Sequence, residues 1–327
     1  MFTKEKFYAD SMAFLDLQGR PPLFDQSRRP RLSLAHLTSV PPTLPFHDFD
    51  AAFAAHCAFR KDALSNPNVH MVYKKSDLRK TGMGIIFGMQ HAPNALTLSR
   101  VRKLSNAGVR ILSLVYSGTN EYGSGSDSEG GLTEYGKQLI TWMVECGMIL
   151  DLSHANRQTA LEALDFIWYE QLLTCPMLSH SGCAAVHDSP RNTTDDIIRK
   201  VSSLRGYVGI PALIFMTGGG LEMLAAHVKH VIEVTGGNEN CVGIGSDCPS
   251  VDTPAESIED AKKHYEKMIA LLEGSIPEGL CFPDRPSEII EHGSRMFEHF
   301  EKALARLPDC VLGENFQDFL FHSLPRN

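Results

Sequence analysis

Two apolar runs in this chain, MILDLSH at 148–154 and CPMLSH at 175–180, stop on the same dipeptide, Ser-His. A neutral imidazole at the end of a buried strand has a ring nitrogen free to bind a metal ion or to move a proton. Three further runs of the same kind also end on polar groups: MGIIFGMQ (83–90) on Gln90, VRILSLVY (109–116) on Tyr116 and CVGIGSD (241–247) on Asp247. Two imidazoles from neighbouring strands can share one Zn²⁺, each at about 2.0–2.1 Å. His154 and His180 are the candidate pair, and Asp247 is placed either to bind the metal or to take a proton from its water. A single histidine in such a position is more often a hydrogen-bonded structural residue. The repeated ending beside a strand-terminal aspartate favours a site.

The loop after the second Ser-His reads HSGCAAVHDSPRNTTDD (180–196), with Arg191 just ahead of a helix start. A guanidinium there can fork onto a substrate carboxylate with two parallel hydrogen bonds, and Asn192 is a second candidate for that contact. The plainer reading pairs Arg191 with Asp195 or Asp196 at the surface. His187, also in the loop, reads as solvated.

The elements that must position these groups alternate. Helical patterns at 96–108, 132–147, 156–167, 193–204 and 221–234 separate the apolar runs, with Thr193 or Thr194 as a helix cap. Strands that are apolar throughout and separated by helices imply a parallel sheet covered on both faces. Adding FYADSMAFLD (7–16), HMVYK (70–74) and YVGIPAL (207–213) brings the strands to eight, the number of a closed (β/α)8 TIM-type barrel. The competitor, an open dinucleotide-binding sheet, lacks its glycine fingerprint. In a barrel the strand-terminal residues share one face, where such enzymes place their chemistry.

Residues 17–47 hold six of the chain's 18 prolines and read as a long irregular connection, either a lid over that face or a plain surface loop. Residues 255–327 read as a helical C-terminal part, with helices at 260–274 and 287–304, and 1–327 as a single domain. The net charge of −8 without a basic block argues against nucleic acid and anionic membrane surfaces. No apolar run is long enough to span a bilayer, and MFTKEKFYAD opens no secretory signal. Eight cysteines without CxxC spacing suit a reducing, cytoplasmic setting.

At DLSH (151–154), SHS with RNTTDD (179–196), GIGSD (243–247) and GGL (130–132), the chain resembles the membrane (renal-type) dipeptidase family of metal-dependent amidohydrolases. The resemblance implies a (β/α)8 barrel, a homodimer, and two zinc ions bridged by a glutamate that cleave dipeptides with a free carboxylate. It matches His154 and His180 to the second metal site, Arg191 to the carboxylate-binding arginine and Asp247 to the catalytic aspartate. The first strand departs from the family pattern: His-x-Asp is replaced within Asp10-Ser11-Met12-Ala13-Phe14. Gln90 stands for the bridging glutamate and Tyr116 for a substrate-binding histidine. A neutral amide cannot offset two adjacent dications, so the expectation is one zinc ion or none, with Gln90 as a weak third ligand. Asp247 then serves as base and acid, and Tyr116 donates to the oxyanion. A metal-free acid/base enzyme, a lyase or isomerase for instance, and an inactive homologue are the alternatives.

Overall fold

The computed structural model describes residues 7–14, 32–40, 48–249 and 296–326. Its strands are β1 (Ala9–Phe14), β2 (Leu34–Thr38), β3 (Val69–Met71), β4 (Met83–Met89), β5 (Val109–Ser113), β6 (Ile149–Asp151), β7 (Met177–Leu178), β8 (Tyr207–Ile210), β9 (Val242–Ile244) and β10 (Cys248–Pro249). Every pairing is parallel, in the order β10-β1-β2-β4-β5-β6-β7-β8-β9, with β3 attached to β4 alone. Since β9 and β10 are one stretch of chain, the pairing of Ala13 with Cys248 closes the sheet into an eight-stave barrel. Further bonds cross the seam, among them those from the Asp247 amide to the Met12 carbonyl at 2.9 Å and from the Ser246 amide to Asp10 Oδ1 at 2.8 Å.

Two expectations change. The eighth stave is Leu34–Thr38, inside the stretch read as an irregular connection, and all five of its residues are buried. Prolines on both sides hid a short run whose apolar pattern is broken by His36 and Thr38. The segment at 70–74 is instead the short β3, which flanks only the first half of β4, pairing Val69 with Met83 before β5 begins at Val109. Of the proposed lid, 17–31 and 41–47 lie outside the described residues, as do the helix read at 260–274 and the start of that at 287–304.

The helices are α1 (Phe49–Ala63), α2 (Leu98–Ala107), α3 (Glu134–Glu145), α4 (Arg157–Tyr169), α5 (Asp195–Ser203), α6 (Ile214–Thr217), α7 (Leu221–Val234), α8 (Met296–Ala303) and α9 (Glu314–Ser323). Side-chain oxygens of Asp48, Thr97, Thr133 and Asn156 accept from the third residue onward and start α1 to α4. Thr194 caps α5 without such a bond, because its hydroxyl donates to Asp196. Between α2, α3, α4, α5 and α7 and the sheet lies an apolar layer in which Val101, Leu139, Ala163, Ile198 and Val228 are fully buried. No helix among the described residues is long and apolar enough to cross a membrane.

The barrel interior is partly polar. Ser11 Oγ, on β1, reaches the carbonyls of Ser179 and Ile244 at 2.7 and 2.9 Å. This crossing needs glycine at 245, since a Cβ there would lie 1.8 Å from the Ser179 oxygen.

Candidate functional site

Gln90, Tyr116, His154, His180 and Asp247 each follow a stave at its carboxyl end, so the barrel gathers all five on one face. His154 and His180 meet, with their Nε2 atoms 3.0 Å apart. Gln90 Oε1 lies 2.8 Å from His154 Nε2, and its amide nitrogen turns the other way to Met12 Sδ at 3.5 Å. The Tyr116 ring lies on the face of His154, centroids 4.1 Å apart and planes 26° apart. Tyr116 is thus a shelf for the imidazole, and burial pushes its hydroxyl up to about 12, against the pull of Arg191.

Arg191 arrives from the loop after β7. That loop folds back on itself through bonds from the Ala184 amide to the Thr193 carbonyl and from the Thr193 amide to the Gly182 carbonyl, 2.8 and 2.9 Å. The guanidinium then reaches both rings. One nitrogen touches His154 Nδ1, and the other lies 3.1 Å from His180 Nε2. Arg191 therefore forms no ion pair with Asp195 or Asp196, whose partners are Arg199, His230 and Arg157. Asn192 braces the loop by donating to the His187 and Met216 carbonyls at 2.8 and 2.7 Å, which commits its amide nitrogen away from the imidazoles.

Burial, with the charges of Arg191 and the neighbouring histidine behind it, holds His154 well below the usual imidazole range. Burial and Arg191 likewise push His180 down to about 3, although Asp151 opposes them. Burial and the guanidinium thus favour the neutral form of both rings. Asp247 moves the other way: burial raises its carboxyl to about 7, Arg191 opposing and Asp10 and Asp151 adding to it. Its backbone is left-handed, with φ 53°, an uncommon state for a non-glycine residue and one that clusters at functional positions.

Three contributors escaped the sequence reading. Asp151, on β6, accepts from the hydroxyls of Ser153 and Ser179, both at 2.6 Å. Burial alone would raise its carboxyl, but His180 and the serine bonds hold it below the usual range. Ser179 Oγ also takes the Nδ1 proton of His180 at 2.8 Å, which aims the Nε2 lone pair into the site. The third is His36 on β2, whose Nδ1 bonds the Ser11 carbonyl at 2.7 Å while Nε2 is buried without a partner. It sits over Gly88, where a Cβ would lie 2.1 Å from Nε2. Asp151 was legible as a carboxylate inside an apolar run; His36 was not, because its strand was not recognised.

A tetrahedral ion with bonds of about 2.0–2.1 Å sets its ligands about 3.3 Å apart. The 2.8 and 3.0 Å spacings along Gln90, His154 and His180 are hydrogen-bond lengths, shorter than that, and an Arg191 nitrogen lies 3.3 and 3.1 Å from the two Nε2 atoms, so these donors would hold an ion only after parting slightly and with the guanidinium displaced. Fully buried Met12 and neutral Gln90 offer no anion to a second dication. Among the described residues no group of three or more His, Cys, Asp or Glu side chains is arranged to hold a metal.

Eight parallel staves with the site residues at their carboxyl ends define a (β/α)8 barrel. The chain belongs to the membrane dipeptidase family, peptidase family M19, whose model matches residues 43–276. It is similar to an uncharacterized dipeptidase of Schizosaccharomyces pombe, 29% identical over 54% of this chain and 44% of that one, and to the dipeptidase verJ of Clonostachys rogersoniana, 31% identical over 54% and 46%. The chain thus matches about half the length of these curated relatives. Among solved structures, an amidohydrolase from Pseudomonas aeruginosa superposes with a TM-score of 0.75 at 20% identity, over 98% of this chain and 97% of that one. A metallopeptidase from Rhodobacter sphaeroides, liganded with a phosphinate mimic of the dipeptide L-Ala-D-Ala, superposes at 0.68 and 19% identity, over 97% and 99%. These two likenesses establish the fold.

Proposed function

We propose that this chain hydrolyses a small amide of dipeptide form with a free carboxylate, using at most one metal ion held by His154, His180 and Gln90. The observation that carries the reading is the meeting of both imidazoles with the Gln90 oxygen and the Arg191 guanidinium on one barrel face. A bound zinc would supply a polarised carbonyl and a more acidic water. Arg191 takes the substrate carboxylate in a bidentate hydrogen bond and so orients the amide. Asp247, ionised above about pH 7, accepts the proton of the attacking water and returns it to the leaving nitrogen. Tyr116 stays protonated and keeps His154 in plane beneath the substrate.

The relatives named as dipeptidases support this substrate class. Hydrolysis of a dipeptide panel by protein equilibrated with zinc tests it. Activity should rise through pH 7 and fall by two orders of magnitude or more in Asp247→Asn; turnover unchanged in that variant would refute the assignment. A second reading, acid/base chemistry without metal, is favoured by one observation: the Arg191, His154, Gln90 and His180 contacts form a closed network unaided.

A further inference from the structure

We propose that Arg191 is an internal competitor of the metal, so that a carboxylate and a metal ion promote each other's binding. The proposal rests on the one-ion reading above and extends it to the order of assembly.

A guanidinium only donates hydrogen bonds, and a neutral imidazole carries one ring proton. The Arg191 nitrogen against His154 Nδ1 therefore needs a lone pair there, which puts the His154 proton on Nε2. The second guanidinium nitrogen lies 3.3 Å from His154 Nε2 and 3.1 Å from His180 Nε2, on the ground a shared metal would take, and of the two His154 ring nitrogens Nε2 is the one with an acceptor beside it. Nε2–H has an acceptor in Gln90 Oε1 at 2.8 Å, and the Gln90 amide is oriented by its own bond to Met12 Sδ. His180 is set the opposite way. Ser179 spends its hydroxyl proton on Asp151, so its oxygen accepts His180 Nδ1–H, and the exposed lone pair on Nε2 accepts from Arg191 at 3.1 Å.

A metal shared by the two Nε2 atoms needs a lone pair on both. His180 offers its own, but His154 must move its proton to Nδ1, where it would face the donors of Arg191. Donor would meet donor, beside two like charges, the guanidinium and the metal. The capped state and the loaded state are mutually exclusive. A substrate carboxylate resolves the conflict, because it gives the guanidinium a charged, bidentate partner and draws it off the ring. By linkage, whatever factor the carboxylate adds to metal affinity, the metal adds to carboxylate affinity. Empty protein would then hold metal weakly, and the site would assemble around its substrate.

Cobalt(II) and propionate are the probes, read with the d–d absorption of cobalt and the ring ¹⁵N shifts of histidine-labelled protein. Saturating propionate should tighten cobalt binding to the wild-type protein at least tenfold. Arg191→Met should bind cobalt at least tenfold tighter than wild type without propionate and gain nothing from adding it. In the absence of metal, the His154 resonances, assigned with His154→Gln, should show a protonated Nε2 in wild type and a shift towards protonated Nδ1 in Arg191→Met or with propionate. Equal cobalt affinity in all three conditions, with His154 already protonated at Nδ1, would overturn the competition while leaving the one-ion site standing. Failure of cobalt to bind under any condition would overturn both.

Discussion

Five donors converge on the Asp151 carboxylate: the Ser153 amide and hydroxyl and the Ser179 amide on Oδ1, and the Ser113 and Ser179 hydroxyls on Oδ2, at 2.6 to 3.2 Å. The repeated Ser-His dipeptide has its physical meaning here. Each serine sits one residue before a site histidine and ties the end of its stave to the same buried anion, so the two imidazoles are held in fixed relation. Ser179 does so directly, through His180 Nδ1; Ser153 does so through the His180 amide at 3.1 Å. Ser179→Ala should leave the barrel folded and lower cobalt affinity by about 10–100-fold, the usual effect of losing such a support. A cobalt titration with melting curves alongside checks this; undiminished affinity would show that Ser179 does not set the ring. The five residue types of the site were legible because each ends an apolar run. Their bonding was not, since neither the Asp151 convergence nor the turn of Arg191 onto the rings can be read from spacing.

At the scale of elements, the staves that announced themselves are those with nothing but apolar residues between helices, such as Met83–Met89. Leu34–Thr38 did not, because its neighbouring prolines weigh more in a local reading than five residues of pattern, and only pairing with β1 and β4 makes it a strand. The staves close around polar crossings, and glycines mark where backbone must approach backbone. Gly245→Ala sets a methyl 1.8 Å from the Ser179 carbonyl, whereas at Gly118 the same change meets nothing within 4 Å. The first substitution should lower the melting temperature by about 10 °C or prevent folding, consistent with a cost of a few kcal/mol; the second should leave it within about 1 °C. Equal melting temperatures would mean that the β9 crossing tolerates more space than its geometry allows.

For the whole molecule, the seam joins residues 236 positions apart in the chain. Asp10 accepts from the Met12 and Ser246 amides and from the Ser246 hydroxyl, and burial raises its carboxyl to about 7 despite those bonds. Between the ordinary value of 3.8 and about 7, the folded protein keeps a proton that the unfolded chain has released. This stabilisation is complete below about pH 4 and is lost as the pH rises to about 7. Asp10→Asn resembles the protonated acid, so its melting temperature relative to wild type should climb from pH 5 to pH 8. Parallel melting curves over that range would contradict the assignment.

The barrel's open face is expected to hold one metal ion. Native mass spectrometry of zinc-saturated protein, with propionate present, counts the bound zinc directly. One zinc per chain, lost when His154 and His180 are both replaced by glutamine, is the predicted result. Two zinc ions per chain, or one that survives that double substitution, would contradict it.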